Sequence, residues 1–323
     1  IKMNILLTGG AGYIGSTTAN LFLDKGHKVT IIDDLSTGNK KNIPKMAKFY
    51  KFNINNKESL IKLLKVEKFD LLVHFAAYID VEESVRKPKK YITNNYLNTK
   101  KLLKVCLDNN LRRIIFSSTA AVYGNSKTGD VGENSIKRPF SPYAISKLQS
   151  EKFITSIKKL NYIILRYFNV AGSDLKLRSG LISKKKSTHL IKKICENFLK
   201  NKSIEIYGNN YPTKDGTPIR DYIHVSDLAY AHYKSAIYLL KYNKSNVFNC
   251  GYGKGYSVLQ VIRKFNKINK KKIKIKFGNR RKGDIYKLVA KVNKIKQNLK
   301  WYPKYNSLKK ILLSSLEWEK KLK

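Results

Sequence analysis

The chain has 323 residues, 42% of them hydrophobic, enough to bury the core of one large α/β domain and a smaller lobe. Its three cysteines lie far apart without a Cys-x-x-Cys pair, which argues against a zinc site or a disulfide framework. The formal net charge of +44 is typical of nucleic-acid binding, but only 10 of the 66 basic residues are Arg, the residue best suited to reading phosphates and bases.

We therefore expect the lysine runs, such as Lys184–Lys186 and Lys270–Lys272, to be solvated surface, and we expect no nucleic-acid partner. No apolar run approaches the roughly 20 residues that a membrane-spanning helix needs. The N-terminus also lacks the charged and apolar order of a signal peptide. The expected location is the cytoplasm, without a membrane partner.

Residues 3–170 alternate short β-branched runs with longer amphipathic stretches, which predicts a doubly wound parallel α/β sheet covered by helices. The predicted strands are Asn4–Thr8, Lys28–Asp33, Lys48–Asn53, Leu71–Phe75, Arg113–Ser118 and Tyr162–Tyr167. The predicted helices are Ile14–Lys25, Lys57–Val66, Pro88–Leu107 and Pro142–Lys159.

The regularity falls after Phe168, where a loop rich in Gly, Ser and Lys marks a domain boundary. Residues 171–323 are expected to form a smaller C-terminal α/β substrate lobe, with residues of about 220–255 packing back on the first domain. The predicted strands are Ser203–Tyr207, Asn246–Asn249 and Ile273–Phe277. The predicted helices are Thr188–Lys200, Ser226–Lys241, Ser257–Asn266 and Ser307–Lys320.

A glycine-rich segment lies where the first strand ends and the first helix begins. Gly9 lets the strand turn sharply, Gly12 removes a side chain where the backbone approaches a pyrophosphate, and Gly15 lets helix and strand pack closely. The N–H groups at the start of the helix then bind the phosphates. This arrangement predicts a Rossmann-type dinucleotide site.

The second strand ends at Asp33, whose carboxylate can accept hydrogen bonds from both ribose hydroxyls of an adenosine. A 2′-phosphate would be repelled by Asp33 and Asp34, and no Arg stands nearby in the sequence. The expected cofactor is therefore NAD rather than NADP.

Tyr143 and Lys147 are four residues apart in a helix that begins at Pro142, so their side chains project from one face. A phenol with a pKa of about 10 becomes a credible general base when an ammonium and a positive nicotinamide stabilise its phenolate. The hydroxyl cluster Ser117–Thr119 ends the fifth strand, where a hydroxyl can bond both a sugar oxygen and Tyr143.

These segments resemble the extended short-chain dehydrogenase/reductase family, and within it the UDP-glucose 4-epimerases. The resemblance covers nearly the whole chain and is most specific in Tyr207–Thr217 and Arg220–Val225. It also includes Val73–Ala77 and Leu165–Asn169. It implies an NAD-holding Rossmann domain, a smaller lobe that binds the UDP-sugar, and a homodimer built on the helices near 94–107 and 142–159.

The resemblance implies catalytic roles for Thr119, Tyr143 and Lys147, and no metal. Implied cofactor contacts are Gly9, Gly12, Tyr13, Ile14, Gly15, Asp33, Asn53, Ile54, Phe75, Ala76, Ala77, Asn94, Tyr143, Lys147 and Phe168. Implied substrate contacts are Thr119, Asn169, Leu190, Tyr207, Arg220, Arg281 and Asp284. The implied reaction is NAD-dependent 4-epimerisation of UDP-glucose and UDP-galactose through a transient 4-keto sugar, with Tyr143 removing the proton of the 4-hydroxyl.

The sequence departs from the family pattern at several positions. Thr119 replaces a Ser, Asn53 an adenine-contacting Asp, and Ile79 a Lys near the cofactor. Leu288 stands where a Tyr narrows the sugar pocket in some members, so a 4-epimerase of UDP-N-acetylglucosamine or UDP-glucuronate is the leading alternative.

Two further alternatives stay open. A sugar-nucleotide dehydratase would need an Asp-Glu pair directly after Thr119, and the chain has Ala120 and Ala121 there. A non-catalytic basic binding protein would have no need of the Tyr143 and Lys147 pair.

Overall fold

The computed structural model describes residues 2–126, 128–184, 187–281 and 283–323. Its strands are β1 Asn4–Thr8, β2 Lys28–Ile32, β3 Lys48–Tyr50, β4 Leu71–His74, β5 Arg113–Thr119, β6 Asp130–Val131, β7 Asn161–Tyr167, β8 Asn169–Ala171, β9 Ile204–Tyr207, β10 Ile219–His224, β11 Asn246–Cys250, β12 Gly255–Ser257, β13 Ile275–Gly278 and β14 Lys287–Ala290. Two lysines of the predicted solvated run, Lys185 and Lys186, lie outside these residues.

The helices surround the strands and include two irregular segments. The α-helices are α1 Tyr13–Asp24, α2 Lys57–Val66, α3 Val81–Arg86, α4 Pro88–Tyr91, α5 Asn98–Asp108, α6 Pro142–Ser156, α7 Leu190–Leu199, α8 Val225–Tyr242, α9 Val258–Asn269, α10 Asn293–Leu299 and α11 Leu308–Leu322. A π-helix spans Ile92–Leu97, and short 3₁₀ helices span Lys40–Asn42 and Ala120–Tyr123. Among the described residues, no helix has both the length and the apolar character that crossing a membrane requires.

The main sheet has seven parallel strands in the order β11-β7-β5-β4-β1-β2-β3. The strands β1 and β4 are almost wholly buried because helices cover both faces of the sheet. The chain crosses over between β1 and its two neighbours, β2 and β4, which creates the crevice where ligands bind in such sheets. The predicted doubly wound, Rossmann-type α/β fold is confirmed.

Part of the C-terminal half packs on this sheet. Strand β11 pairs with β7, from Asn246 opposite Ile163 to Cys250 opposite Tyr167, and α8 packs against α1. One buried core runs from Met3 to Trp301 and therefore includes residues from both halves of the chain. The boundary between residues 170 and 171 stays a prediction.

A second, mixed sheet joins the two halves in the order β12-β10-β14-β6, with β8 paired to β10, while β9 and β13 form a separate pair. Sequence reasoning missed β6, β8, β10, β12 and β14. Four of these have only two to four residues, too few to display a period, and β10 begins with the polar sequence Ile219-Arg220-Asp221. The short helices α3 and α10 were also missed.

The predicted helix Pro88–Leu107 is wrong as one regular helix, because a π-helix separates α4 from α5. In the wider turn the carbonyl of Asn95 accepts hydrogen bonds from Thr99 Oγ1 at 2.8 Å and Ser150 Oγ at 2.9 Å. The Asn95 side chain bonds both the N–H and the C=O of Tyr78, at 2.9 Å each. The irregular turn thus fastens the loop after β4 to helix α6.

Candidate active site

The glycine loop is shaped by backbone contacts that exclude side chains. Gly9 has a φ of +73°, and a Cβ there would lie 2.6 Å from the backbone nitrogen of Ala76. A Cβ on Gly15 would lie 2.3 Å from the carbonyl oxygen of Gly9, which in turn accepts a hydrogen bond from Gly12 N at 3.1 Å. The loop can therefore bring strand β1, helix α1 and the segment after β4 into direct backbone contact.

The start of helix α1 fits a dinucleotide phosphate. Gly12 is its N-cap and makes no side-chain capping bond, and the first turn contains no acidic residue. An anion can therefore satisfy the N–H groups that begin the helix. Tyr13 donates a 2.5 Å hydrogen bond to Gly172 O, which ties the loop to the segment after β8, while Ile14 packs against the main core.

Asp33 lies at the end of β2, beside the glycine loop. Its carboxylate accepts hydrogen bonds from Ala11 N at 3.0 Å and Leu35 N at 2.8 Å, and burial raises its pKa. Asn53, proposed for adenine, donates to Asp34 at 2.6 Å. Lys184, expected from the sequence to be part of a solvated run, donates to Leu35 O beside Asp33, and its charge lowers the pKa that burial raises.

Several of the remaining cofactor candidates lie at the carboxyl ends of β4 and β7. Phe75 stacks obliquely on His232, with ring centroids 4.8 Å apart, and His232 Nε2 lies 2.5 Å from the hydroxyl of Tyr167. Phe168 is buried in the core shared by both halves of the chain, and Ile54 is buried in a second hydrophobic core. Ala76 and Ala77 follow Phe75 in the loop beside Gly9, and Asn94 lies in the π-helix, where its amide donates to Asn95 at 3.1 Å.

Thr119, Tyr143 and Lys147 come together between β5 and α6. The hydroxyl of Thr119 hydrogen-bonds Tyr143 and also accepts from Ala121 N at 3.1 Å. Lys147 is buried and donates to Ser117 O at 2.7 Å. The proposed base, the hydroxyl and the ammonium thus share one enclosed site.

Burial controls the ionisation of this group in the protein alone. It raises the pKa of Tyr143, and the hydrogen bond from Thr119 acts in the opposite direction. It lowers the pKa of Lys147 to about 7, opposed by the charge of Glu151. The phenol of Tyr143 can therefore act as a base only where nearby positive charge stabilises its phenolate.

The proposed substrate residues form two pairs in the smaller lobe. Arg220 Nη2 donates to Asp284 Oδ1 at 2.9 Å, and the guanidinium of Arg281 lies 3.9 Å from the ring centroid of Tyr207. Leu190 is the first residue of α7, and Asn169 begins β8 directly after Phe168. Planar arginine donors of this kind suit a diphosphate.

A cavity of about 400 Å³ adjoins Asp284 and is lined also by Asn125, Arg138, Phe140 and Gly283. Sequence reasoning missed these residues, although Asn125, Arg138 and Phe140 lie between the hydroxyl cluster and Tyr143. It also missed Tyr211, which donates to Asp284 at 3.4 Å. The segment after the hydroxyl cluster therefore lines the same cavity as Asp284, the partner of Arg220.

Comparison with known proteins assigns the chain to a family. Residues 5–251 match the model of the NAD dependent epimerase/dehydratase family. The chain belongs to that family. Among curated relatives of this NAD dependent epimerase/dehydratase member, the UDP-glucose 4-epimerase of Azospirillum brasilense is 41% identical over 98% of the chain and 92% of the relative.

Solved structures of other members have the same fold. The UDP-Glc/GlcNAc 4-epimerase of Campylobacter jejuni is 42% identical, with a TM-score of 0.85 over 99% of both chains. The UDP-glucose 4-epimerase of Bifidobacterium longum, in complex with NAD⁺ and UDP, is 32% identical, with a TM-score of 0.90 over 98% of both chains. The resemblance inferred from the sequence motifs is confirmed.

Proposed function

We propose that the chain is a UDP-hexose 4-epimerase that interconverts UDP-glucose and UDP-galactose with NAD as its resident cofactor. The observation that carries the proposal is the enclosed group of Thr119, Tyr143 and Lys147 beside a glycine loop that fits a dinucleotide. Ala120 and Ala121 follow Thr119, so the acid and base that a dehydratase needs are missing.

Each residue of the group has a distinct task. Tyr143 removes the proton of the sugar 4-hydroxyl, and Thr119 holds both that hydroxyl and the tyrosine through its own hydroxyl. Lys147 supplies positive charge that favours the phenolate. Asp33 would hold the adenosine ribose, and the start of α1 the pyrophosphate. NAD, when bound, supplies a reversible acceptor for the hydride of the sugar C4 carbon.

On the substrate side, Arg220, Arg281 and Asp284 would hold the UDP moiety, together with Asn169, Leu190 and Tyr207. Two contacts support the arginines as diphosphate ligands, because they orient the guanidinium groups. Arg220 donates a hydrogen bond to Asp284, and the guanidinium of Arg281 packs against the ring of Tyr207. Holding the nucleotide rather than the hexose leaves the sugar free to turn over between the two hydride transfers.

The test is a panel of UDP-sugars with separation of products and measurement of protein-bound NAD. We expect UDP-glucose and UDP-galactose to interconvert, and Tyr143→Phe to lower turnover about 10²–10⁴-fold while NAD stays bound. Tyr302→Phe, at an exposed position, is the matched control. Full activity in Tyr143→Phe would remove this residue from the mechanism.

A second candidate, 4-epimerisation of N-acetylated UDP-hexoses, is favoured by Leu288. This residue lies on β14 opposite Arg220 in strand β10, next to the proposed UDP site, and it is smaller than a tyrosine. We expect Leu288→Tyr to reduce activity on UDP-N-acetylglucosamine more than activity on UDP-glucose, because the larger ring narrows the sugar pocket. An unchanged ratio of the two activities would refute the role of Leu288.

A homodimer and a cytoplasmic location complete the proposal. The dimer is inferred from the resemblance to the UDP-glucose 4-epimerases, which implies contact through the helices near 94–107 and 142–159. The cytoplasm is supported by three buried, unpaired cysteines, Cys106, Cys195 and Cys250. Light scattering should give twice the chain mass of 37.2 kDa, and a value equal to the chain mass would refute the dimer.

A further inference from the structure

Helix α6 presents a third ionisable residue on the face that bears Tyr143 and Lys147. Glu151 follows Lys147 by four residues, so the three side chains lie in line one helical turn apart. Strand β5 contacts two of them through consecutive residues. Lys147 Nζ donates to Ser117 O at 2.7 Å, and the hydroxyl of Ser118 donates to the carboxylate of Glu151.

The carboxylate of Glu151 is fixed by a buried ion pair with Arg166 on strand β7. Arg166 Nη2 lies 2.6 Å from Glu151 Oε2, and Arg166 Nε lies 3.0 Å from Oε1, with both side chains less than 5% exposed. Arg166 also donates to the hydroxyl of Tyr123 at 2.9 Å and to Glu133 O at 3.0 Å. Because both side chains are buried, water screens these charges less than it screens charges at the surface.

We propose that Glu151 is a positioning residue for the epimerisation, which acts from one helical turn away to keep Lys147 charged while that lysine donates to the Ser117 carbonyl. This inference rests on the proposed function. Arg166 carries the opposite charge in the same ion pair, so we expect it to influence the lysine in the opposite direction from Glu151.

The need for such a residue follows from burial. Burial brings the pKa of Lys147 down to about 7, while Glu151 raises it. Without Glu151, the pKa of Lys147 would be lower still, so less of the lysine would carry the positive charge that favours the phenolate of Tyr143. A neutral lysine would still donate to Ser117 O, so this hydrogen bond alone does not provide the positive charge that favours the phenolate.

Other ionisable groups face this cluster from every neighbouring element and must stay unchanged in a test. His74 of β4 faces Lys147, and Tyr167 of β7 faces Tyr143. Tyr123 and Lys137, from the segment after β5, and Lys294 of α10 face Arg166.

The experiment compares the pH dependence of kcat/KM for UDP-galactose in holoenzyme variants. Glu151→Gln keeps an acceptor for Ser118 and removes the negative charge, so the alkaline limb, where Lys147 loses its proton, should move down by about one pH unit. Arg166→Met leaves the negative charge of Glu151 without its partner, so the alkaline limb should move to higher pH. A purely structural role of the ion pair predicts no such opposite shifts, because both variants break the same contact.

The double variant Glu151→Gln with Arg166→Met removes both charges and avoids a lone buried ion. Its alkaline limb should lie between those of the wild type and Glu151→Gln. Glu319→Gln breaks a different buried ion pair, that of Glu319 with Lys192, and should lower the melting temperature without moving the pH profile.

A limb in the double variant at or above the wild-type position would overturn the proposal. So would shifts of Glu151→Gln and Arg166→Met in the same direction. A wild-type protein that epimerises no UDP-hexose would instead contradict the proposed function.

Discussion

At the scale of single residues, Lys147, whose ammonium we propose to act in the reaction, is buried, with only 2% of it exposed. Its pKa falls from 10.5 to about 7 on folding, so between these values the unfolded chain binds a proton that the folded chain releases. The free energy of unfolding therefore rises with pH between these two values. This stabilisation is fully present above pH 10.5 and is lost as the pH falls toward 7.

We therefore expect the stability difference between wild type and Lys147→Met to change by about 1.4 kcal/mol per pH unit in this range, in favour of the wild type at higher pH. Denaturant unfolding of both proteins, at equal NAD content, would measure it. Parallel stability curves for the two proteins would contradict the buried, pKa-shifted lysine.

At the residue scale, the sequence alone predicts how side chains are arranged where their partners are local. Tyr143 and Lys147 share a helix face by spacing alone, and the hydroxyl of Thr119 follows from its place at a strand end. Glu151 was missed, although it continues the same spacing along helix α6, because its partner Arg166 lies on strand β7. Burial of a charged side chain becomes visible only when the tertiary contacts are known.

At the scale of elements, the glycine loop makes the sharpest prediction. Gly9→Ala should lower stability and NAD content strongly, because the new Cβ meets the backbone of Ala76 at 2.6 Å in addition to the strain of a positive φ. Gly26→Ala is the matched control, since Gly26 also has a positive φ, +79°, but no atom within 4 Å of the added Cβ.

The control should lose only about 1 kcal/mol, with NAD content unchanged. Urea unfolding and extraction of bound NAD measure both quantities. Equal effects of the two substitutions would mean that the backbone contact between Gly9 and Ala76 does not shape the loop.

Elements with a clear hydrophobic period could be predicted, and irregular ones could not. The strands of the main sheet were placed within a few residues, because most of them are largely buried apolar runs bounded by polar residues. The π-helix at Ile92–Leu97 escaped prediction because its side-chain pattern is that of an ordinary helix, and the wider turn is fixed by bonds from Thr99 and Ser150. Strand order likewise depends on contacts between distant segments.

At the scale of the whole molecule, the two kinds of cation are used differently. Arg166, Arg178 and Arg220 each pair with a carboxylate at a defined position, whereas most of the far more numerous lysines lie on the surface. The charge of +44 therefore describes the solvated surface more than the site. A positive field of this kind also favours encounter with an anionic nucleotide sugar.

The central claim is that one enclosed site removes the C4 hydrogen of a UDP-hexose and returns it to the other face. It is tested most directly with UDP-galactose deuterated at C4, incubated with the protein in ordinary water, followed by isotope analysis of the products. The account predicts UDP-glucose that retains the deuterium at C4. Release of the deuterium to water, or no conversion at all, would contradict it.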